Sequence, residues 1–153
     1  MRVTRIDASG GGAVGPMGMP GHVRPYNPVW SGLDLAYTGT PATGRYAKIG
    51  DLVFFHIDVQ CSTVTNFGST NNGHYKLTLP YPPSGDYVFR DGGIHHEAQG
   101  YHFSIAADAE DGDVEMSLYY TGSNGQDIAF DANSPHVLET TDYFYVSGLY
   151  IRG

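Results

Sequence analysis

Arg45-Tyr-Ala-Lys-Ile-Gly-Asp-Leu-Val-Phe-Phe-His-Ile-Asp-Val-Gln60 is the stretch that decides the fold class. Val53, Phe55, Ile57 and Val59 point one way and Leu52, Phe54, His56 and Asp58 the other, which is the two-residue period of a strand. Arg45–Ile49 is predicted as a preceding strand, with Gly50-Asp51 as the tight turn of a hairpin. The same alternation recurs downstream. Tyr75, Leu77 and Leu79 alternate with Lys76 and Thr78 until Pro80 ends the run. Tyr101, Phe103, Ile105 and Ala107 alternate with His102, Ser104 and Ala106, and Val114, Met116, Leu118 and Tyr120 with Glu115, Ser117 and Tyr119. Glu110-Asp111-Gly112-Asp113 is the turn between these last two. Tyr143–Ile151 is aromatic on both faces, which predicts a central strand or one covered by another subunit. Shorter strands are predicted at Leu35–Tyr37, Tyr87–Arg90 and Asp127–Phe130, and no segment shows sustained helical periodicity. The expectation is an all-β, antiparallel β-sandwich or jelly roll of about eight strands over residues 28–153. The Asn/Gly/Ser/Thr-rich loops Thr65–Gly73 and Thr121–Gln126 are expected at its ends.

Composition agrees. The chain has 153 residues, a one-domain length, with 21 Gly, 12 Tyr and only 16% charged residues, unlike a helical bundle or coiled coil. Its single cysteine, Cys61, excludes an intrachain disulfide. Net charge is −8, which opposes binding to nucleic acid. Residues 1–50 carry five basic and two acidic side chains, whereas residues 51–153 carry three basic and 14 acidic ones. The longest purely apolar run is Leu52–Phe55, too short for a signal-peptide core or a membrane span. Synthesis in a cytoplasm without membrane insertion is expected.

Residues 1–27 read as an extended, Gly/Pro-rich arm. Gly15, Gly18 and Gly21 fall on a three-residue period with Pro16 and Pro20 between them. Three Gly-x-y triplets are too few for a stable collagen helix, so a polyproline-like arm reaching roughly 80 Å is the preferred reading. Arg2 and Arg5 would meet an acidic partner, and Met17, Met19 and Val23 would be its adhesive points.

Chemistry-bearing motifs are sparse. His95, His96, Glu97 and His102 are the densest set of potential ligands, but His95 and His96 point to opposite faces of a strand and match no zinc spacing. His95 and Glu97 share a face, and a turn would return His102 to it. Surface or subunit-contact histidines are the preferred reading. Asp108, Glu110, Asp111 and Asp113 lack the spacing of a calcium loop and read as a solvated turn. No nucleophile elbow, P-loop or singled-out carboxylate pair is present. No catalytic residue, metal or cofactor is assigned, and an enzyme is not expected. Tyr81, Tyr119, Tyr143 and Tyr145 are candidates for exposed rings. Core or subunit contact is the preferred reading of these Tyr rings over a carbohydrate platform, and Tyr81, Tyr119, His95 and His102 are the candidate surface or glycan contacts.

Pro28-Val-Trp-Ser-Gly32, Gly44-Arg-Tyr-Ala-Lys-Ile-Gly-Asp-Leu-Val-Phe-Phe55, Leu77-Thr-Leu-Pro80 and Val146-Ser-Gly-Leu-Tyr150 together resemble a β-domain of tailed-phage structural proteins. It looks like the domain of actinobacteriophage minor tail proteins and of some capsid or tail-fibre tips. Phe89-Arg-Asp-Gly-Gly-Ile-His95 and Gly122-Ser-Asn-Gly-Gln-Asp127 are also similar to that group, and the resemblance spans residues 28–153. It implies a virion component, a minor tail or tail-tip protein docked by its arm, with the host surface as a further contact. A capsid decoration protein or head fibre is the alternative, and a carbohydrate-binding host-attachment module a further one. The implied partners are other tail or capsid subunits, sibling copies in a homotrimer, and a host cell-surface glycan. In many relatives the domain ends a long fibre, whereas a short arm precedes it here, which favours a small clipped-on subunit.

Overall fold

The structure, a computed structural model, describes residues 22–69 and 73–153. It is all-β and antiparallel, with strands β1 (Arg24–Tyr26), β2 (Trp30–Ser31), β3 (Ala36–Tyr37), β4 (Ala42–Ile49), β5 (Leu52–Gln60), β6 (Val64–Asn66), β7 (Lys76–Thr78), β8 (Tyr87–His96), β9 (Tyr101–Ala109), β10 (Glu115–Thr121), β11 (Asp127–Ala129) and β12 (Tyr143–Ile151). A 3-10 turn, Cys61–Thr63, links β5 to β6. Ten strands form one sheet in the order β1-β4-β5-β12-β8-β9-β10-β7-β2, with β11 also on β10, and β3 pairs with β6 separately. More strands form than the roughly eight expected from turn spacing, because β1, β2 and β6 are too short to show alternation.

The hairpin that decides the fold class forms as read. Ile49 pairs with Leu52 across Gly50-Asp51, and Gly50 has the positive φ of 61° that such a short turn needs. Val53, Phe55, Ile57 and Val59 all face the core. β12 is central, between β5 and β8, so its two-faced aromaticity has the first of the two expected causes. Residues 24–26 fall in the segment read as arm, yet pair with β4 as an edge strand. Pro25 is tolerated there because an edge strand leaves one row of backbone groups unpaired.

The long sheet rolls over on itself. Trp30 on β2 lies 5.3 Å, centroid to centroid, from Phe144 on β12, although four strands separate β2 from β12 along the sheet. Tyr75 and Phe130 close a ring of aromatics with these two, at 5.0 Å from Trp30 to Tyr75, 5.4 Å to Phe130 and 5.1 Å on to Phe144. Edge-to-face pairs of this kind add to the burial of the rings themselves. A second cluster, Phe55, Phe89 and Tyr150, fills the core beneath β5, β8 and β12, with Phe55 and Phe89 4.9 Å apart. The result is a sandwich-like, two-layered core.

β8 runs to His96, six residues beyond the predicted Tyr87–Arg90. Phe89 pairs with Ala107 but Gly92 with Ile105, so β8 spends one extra residue at Arg90-Asp91, a β-bulge. The bulge inverts the alternation, placing Phe89, Ile94 and His96 inside and turning His95 outward. Gly92 sits against it so tightly that a Cβ would lie 2.8 Å from the carbonyl oxygen of Ile105 and 3.0 Å from that of Tyr145. Gly92→Ala should therefore cost about 1–3 kcal/mol in urea denaturation. Gly93→Ala, whose Cβ would meet only the movable Tyr145 ring at 3.1 Å, should cost clearly less.

Candidate binding site at the histidine-rich end

The bulge and the register of three strands assemble a row of rings on the outer face. Tyr143, His95 and His102 are direct neighbours across β12, β8 and β9, and Tyr145, Gly93 and Ser104 form the adjacent row. His95 and His102 stack at 4.2 Å and 14°, and Tyr143 meets His95 edge-on at 4.9 Å. With no side chain at Gly93, the Tyr145 ring leans over its backbone. These residues line a depression of about 370 Å³ whose floor includes Phe103. Tyr143 and Tyr145 are each 37% exposed, enough to offer an edge or face to a ligand. His95 Nδ1 is 3.2 Å from Glu97 Oε2, without hydrogen-bond alignment. Beyond Tyr145, His56 is held by Ser147 Oγ at 2.7 Å and Asp58 Oδ2 at 3.1 Å.

Directly beneath lies a buried tie. His96 Nδ1 is 2.8 Å from Asp142 Oδ1, and His136 Nε2 is 3.1 Å from Asp142 Oδ2. The backbone N–H of Glu139 donates to Oδ2 at 2.8 Å and that of Glu97 to Oδ1 at 3.3 Å. The Asp142 carbonyl accepts from the Cys61 N–H at 3.0 Å. Burial alone would raise the Asp142 carboxyl, but the Glu139 N–H and the two imidazoles outweigh it and hold the group below its ordinary value. His136 also stacks on Phe103 at 5.3 Å and 20°.

The structure thus brings His95 and His102 together, through the turn after His96. The other two candidate contacts lie elsewhere. Tyr81 is half-buried in the β7–β8 connection, where Tyr150 Oη donates to its carbonyl at 2.8 Å and accepts from its N–H at 3.1 Å. Its ring packs against Tyr46, with Lys48 and Arg152 5.7 and 5.6 Å from its centroid. Tyr119 is on the outward side of β10 but only 7% exposed, and lines a separate depression with His74, Arg90 and Asp127. Burial first, then Asp127, pushes its phenol pKa up, and its ring is not available for stacking. Of the arm residues, Arg2, Arg5, Met17 and Met19 lie outside the described residues; Val23 is exposed beside Ala47 and Phe54.

The acidic turn is partly structural: Asp111 Oδ1 accepts from the Gly85 N–H at 2.7 Å, and its own N–H donates to Asp86 Oδ1 at 3.0 Å. His136 and Asp142 escaped sequence reasoning altogether. Asp142 is 46 residues from His96, and no local spacing connects them.

Asp142→Ala would leave two imidazoles and two backbone N–H groups without their acceptor, and should cost about 3–5 kcal/mol. Because the folded carboxyl lies below its ordinary 3.8, its contribution is complete above that pH and lost as pH falls through the folded value. The acid limb of stability should accordingly be shallower in Asp142→Ala, as measured by urea midpoints against pH. Cys61, whose thiol is pushed up to about 12 by burial and by Asp142, should resist thiol reagents at pH 8 in the folded protein and react fully once unfolded.

Comparison of the chain with protein-family models, with curated proteins and with solved structures found no match.

Proposed function

We propose that this chain is a non-catalytic structural subunit of a tailed-phage particle, and that the outer face of β12, β8 and β9 is its attachment surface for a host glycan. The observation that carries the attachment reading is the ring-lined depression of about 370 Å³ bearing Tyr143, Tyr145, His95 and His102. Sugar rings present C–H faces that pack on aromatic planes and hydroxyls that pair with imidazole nitrogens and with Ser104. The rings stand on paired strands rather than on a loop, so little conformational freedom is lost on binding. A net charge of −8 disfavours polyanionic polymers, which makes a neutral glycan the better fit. Membership of a particle is supported by the order of motifs along residues 28–153, and the tail is preferred to the head on the same ground.

A glycan array probed with the intact chain tests the attachment face. Binding to neutral cell-wall glycans is expected, with Tyr143→Ala and Tyr145→Ala each weakening it by about tenfold or more. Tyr119→Phe and Tyr81→Phe should leave it unchanged. An array without signal removes the attachment reading. Immunogold labelling of particles addresses the particle separately: label at the distal tail is expected, label over the head makes the chain a capsid decoration, and unlabelled particles defeat the particle reading.

A further inference from the structure

We propose that His96, His136 and Asp142 form a binding site for a divalent transition-metal cation of the zinc class. The site lies inside the sandwich end and is independent of the attachment reading. Its ligands come from three places in the fold: His96 from the end of β8, His136 from the β11–β12 connection, and Asp142 from the residue before β12. One donor atom from each lies within 4.8 Å of the others, the one such grouping of three among the described residues.

Two imidazoles and a carboxylate are a donor set that suits zinc and its neighbours and leaves a fourth position for water. With metal–ligand bonds of about 2.0–2.2 Å, tetrahedral donors stand about 3.3 Å apart. The two nitrogen–oxygen distances, 2.8 and 3.1 Å, run to different oxygens of Asp142, and the three donors lie within 4.8 Å of one another, so side-chain rotation must draw them together onto one cation. Each imidazole would bind a cation as the neutral ring through the nitrogen that now faces Asp142, its proton moving to the other ring nitrogen, Nε2 of His96 and Nδ1 of His136. The carboxylate offsets half of a divalent charge, which an all-imidazole site would not.

Two further features fit a cation. The Asp142 side chain is fully buried and that of His96 is 5% exposed, whereas that of His136 is 13% exposed, leaving one open side for entry and for the water ligand. His136 Nδ1 is buried with no hydrogen-bond partner. Its tautomer is thus pinned only by the contact to Asp142, and the ring proton can move to Nδ1 when Nε2 faces a metal, without breaking another hydrogen bond. His95 and His102, stacked on the opposite face of the sheet, contribute nothing to this set.

The test uses the full, untagged chain, stripped of metal with chelator and titrated with Zn²⁺ by calorimetry, and with Co²⁺ by visible absorption. One equivalent bound per chain, a tetrahedral Co²⁺ spectrum and a raised melting temperature are expected. His136→Ala should weaken Zn²⁺ binding by about tenfold or more, while His95→Ala and His102→Ala leave it intact. Should Asp142→Asn fail to fold, His136→Gln, at the open rim, carries the same test with circular dichroism confirming the fold. Absence of stoichiometric binding by the folded chain overturns the proposal. So does binding that survives loss of His136 and vanishes with His95 or His102, which would place the metal on the surface pair.

Discussion

One unpaired residue in β8 governs how this end of the molecule is arranged. Without the bulge at Arg90-Asp91, the parity set by Phe89 would carry on unbroken, sending His95 into the core and His96 out to solvent. The outer depression would lose its central ring, and Asp142 would face an empty position where its first imidazole now stands. The bulge in turn depends on Gly92, the residue at which the backbones of β9 and β12 approach too closely for any side chain. A glycine, a bulge and a register shift are therefore a single device, and its output is the sorting of two adjacent histidines into two different chemical environments.

The two environments support each other. Above the sheet, rings are held by their neighbours but keep an exposed edge. Below it, a carboxylate saturated with donors locks the β11–β12 connection onto the end of β8. Phe103, between the outward His102 and Ser104 that line the depression, turns inward to stack on His136.

Strand existence and the inward faces of β5, β7, β9 and β10 were legible because they rest on a local period of two, visible in any window of six residues. β5 and β12 have the bounds the alternation implies. β8 was read short because the bulge and the Gly92-Gly93 pair interrupt that period where it matters most. β1 was hidden by Pro25 and its glycine-rich surroundings, and β2 by having two residues. At the site, His95 and His102 could be paired from a turn and strand parity alone. Tyr119 shows the limit of parity: it tells which face a residue is on, not how exposed its ring will be. The tie to Asp142 joins segments that only tertiary folding brings together, so no reading of neighbours along the chain could supply it.

The position of β12 has a consequence for how the chain acquires its shape during synthesis. Ser147 pairs with His56 from 91 residues further along, and β12 also supplies the partner edge of β8. Until it emerges from the ribosome, β5 and β8 each keep a ladder of unsatisfied backbone groups beside a row of aliphatic and aromatic side chains. Such long-range pairing slows folding and leaves the growing chain with two sticky strand edges. Nascent chains stalled before residue 143 should be the species that chaperones hold and that aggregate when they are not held.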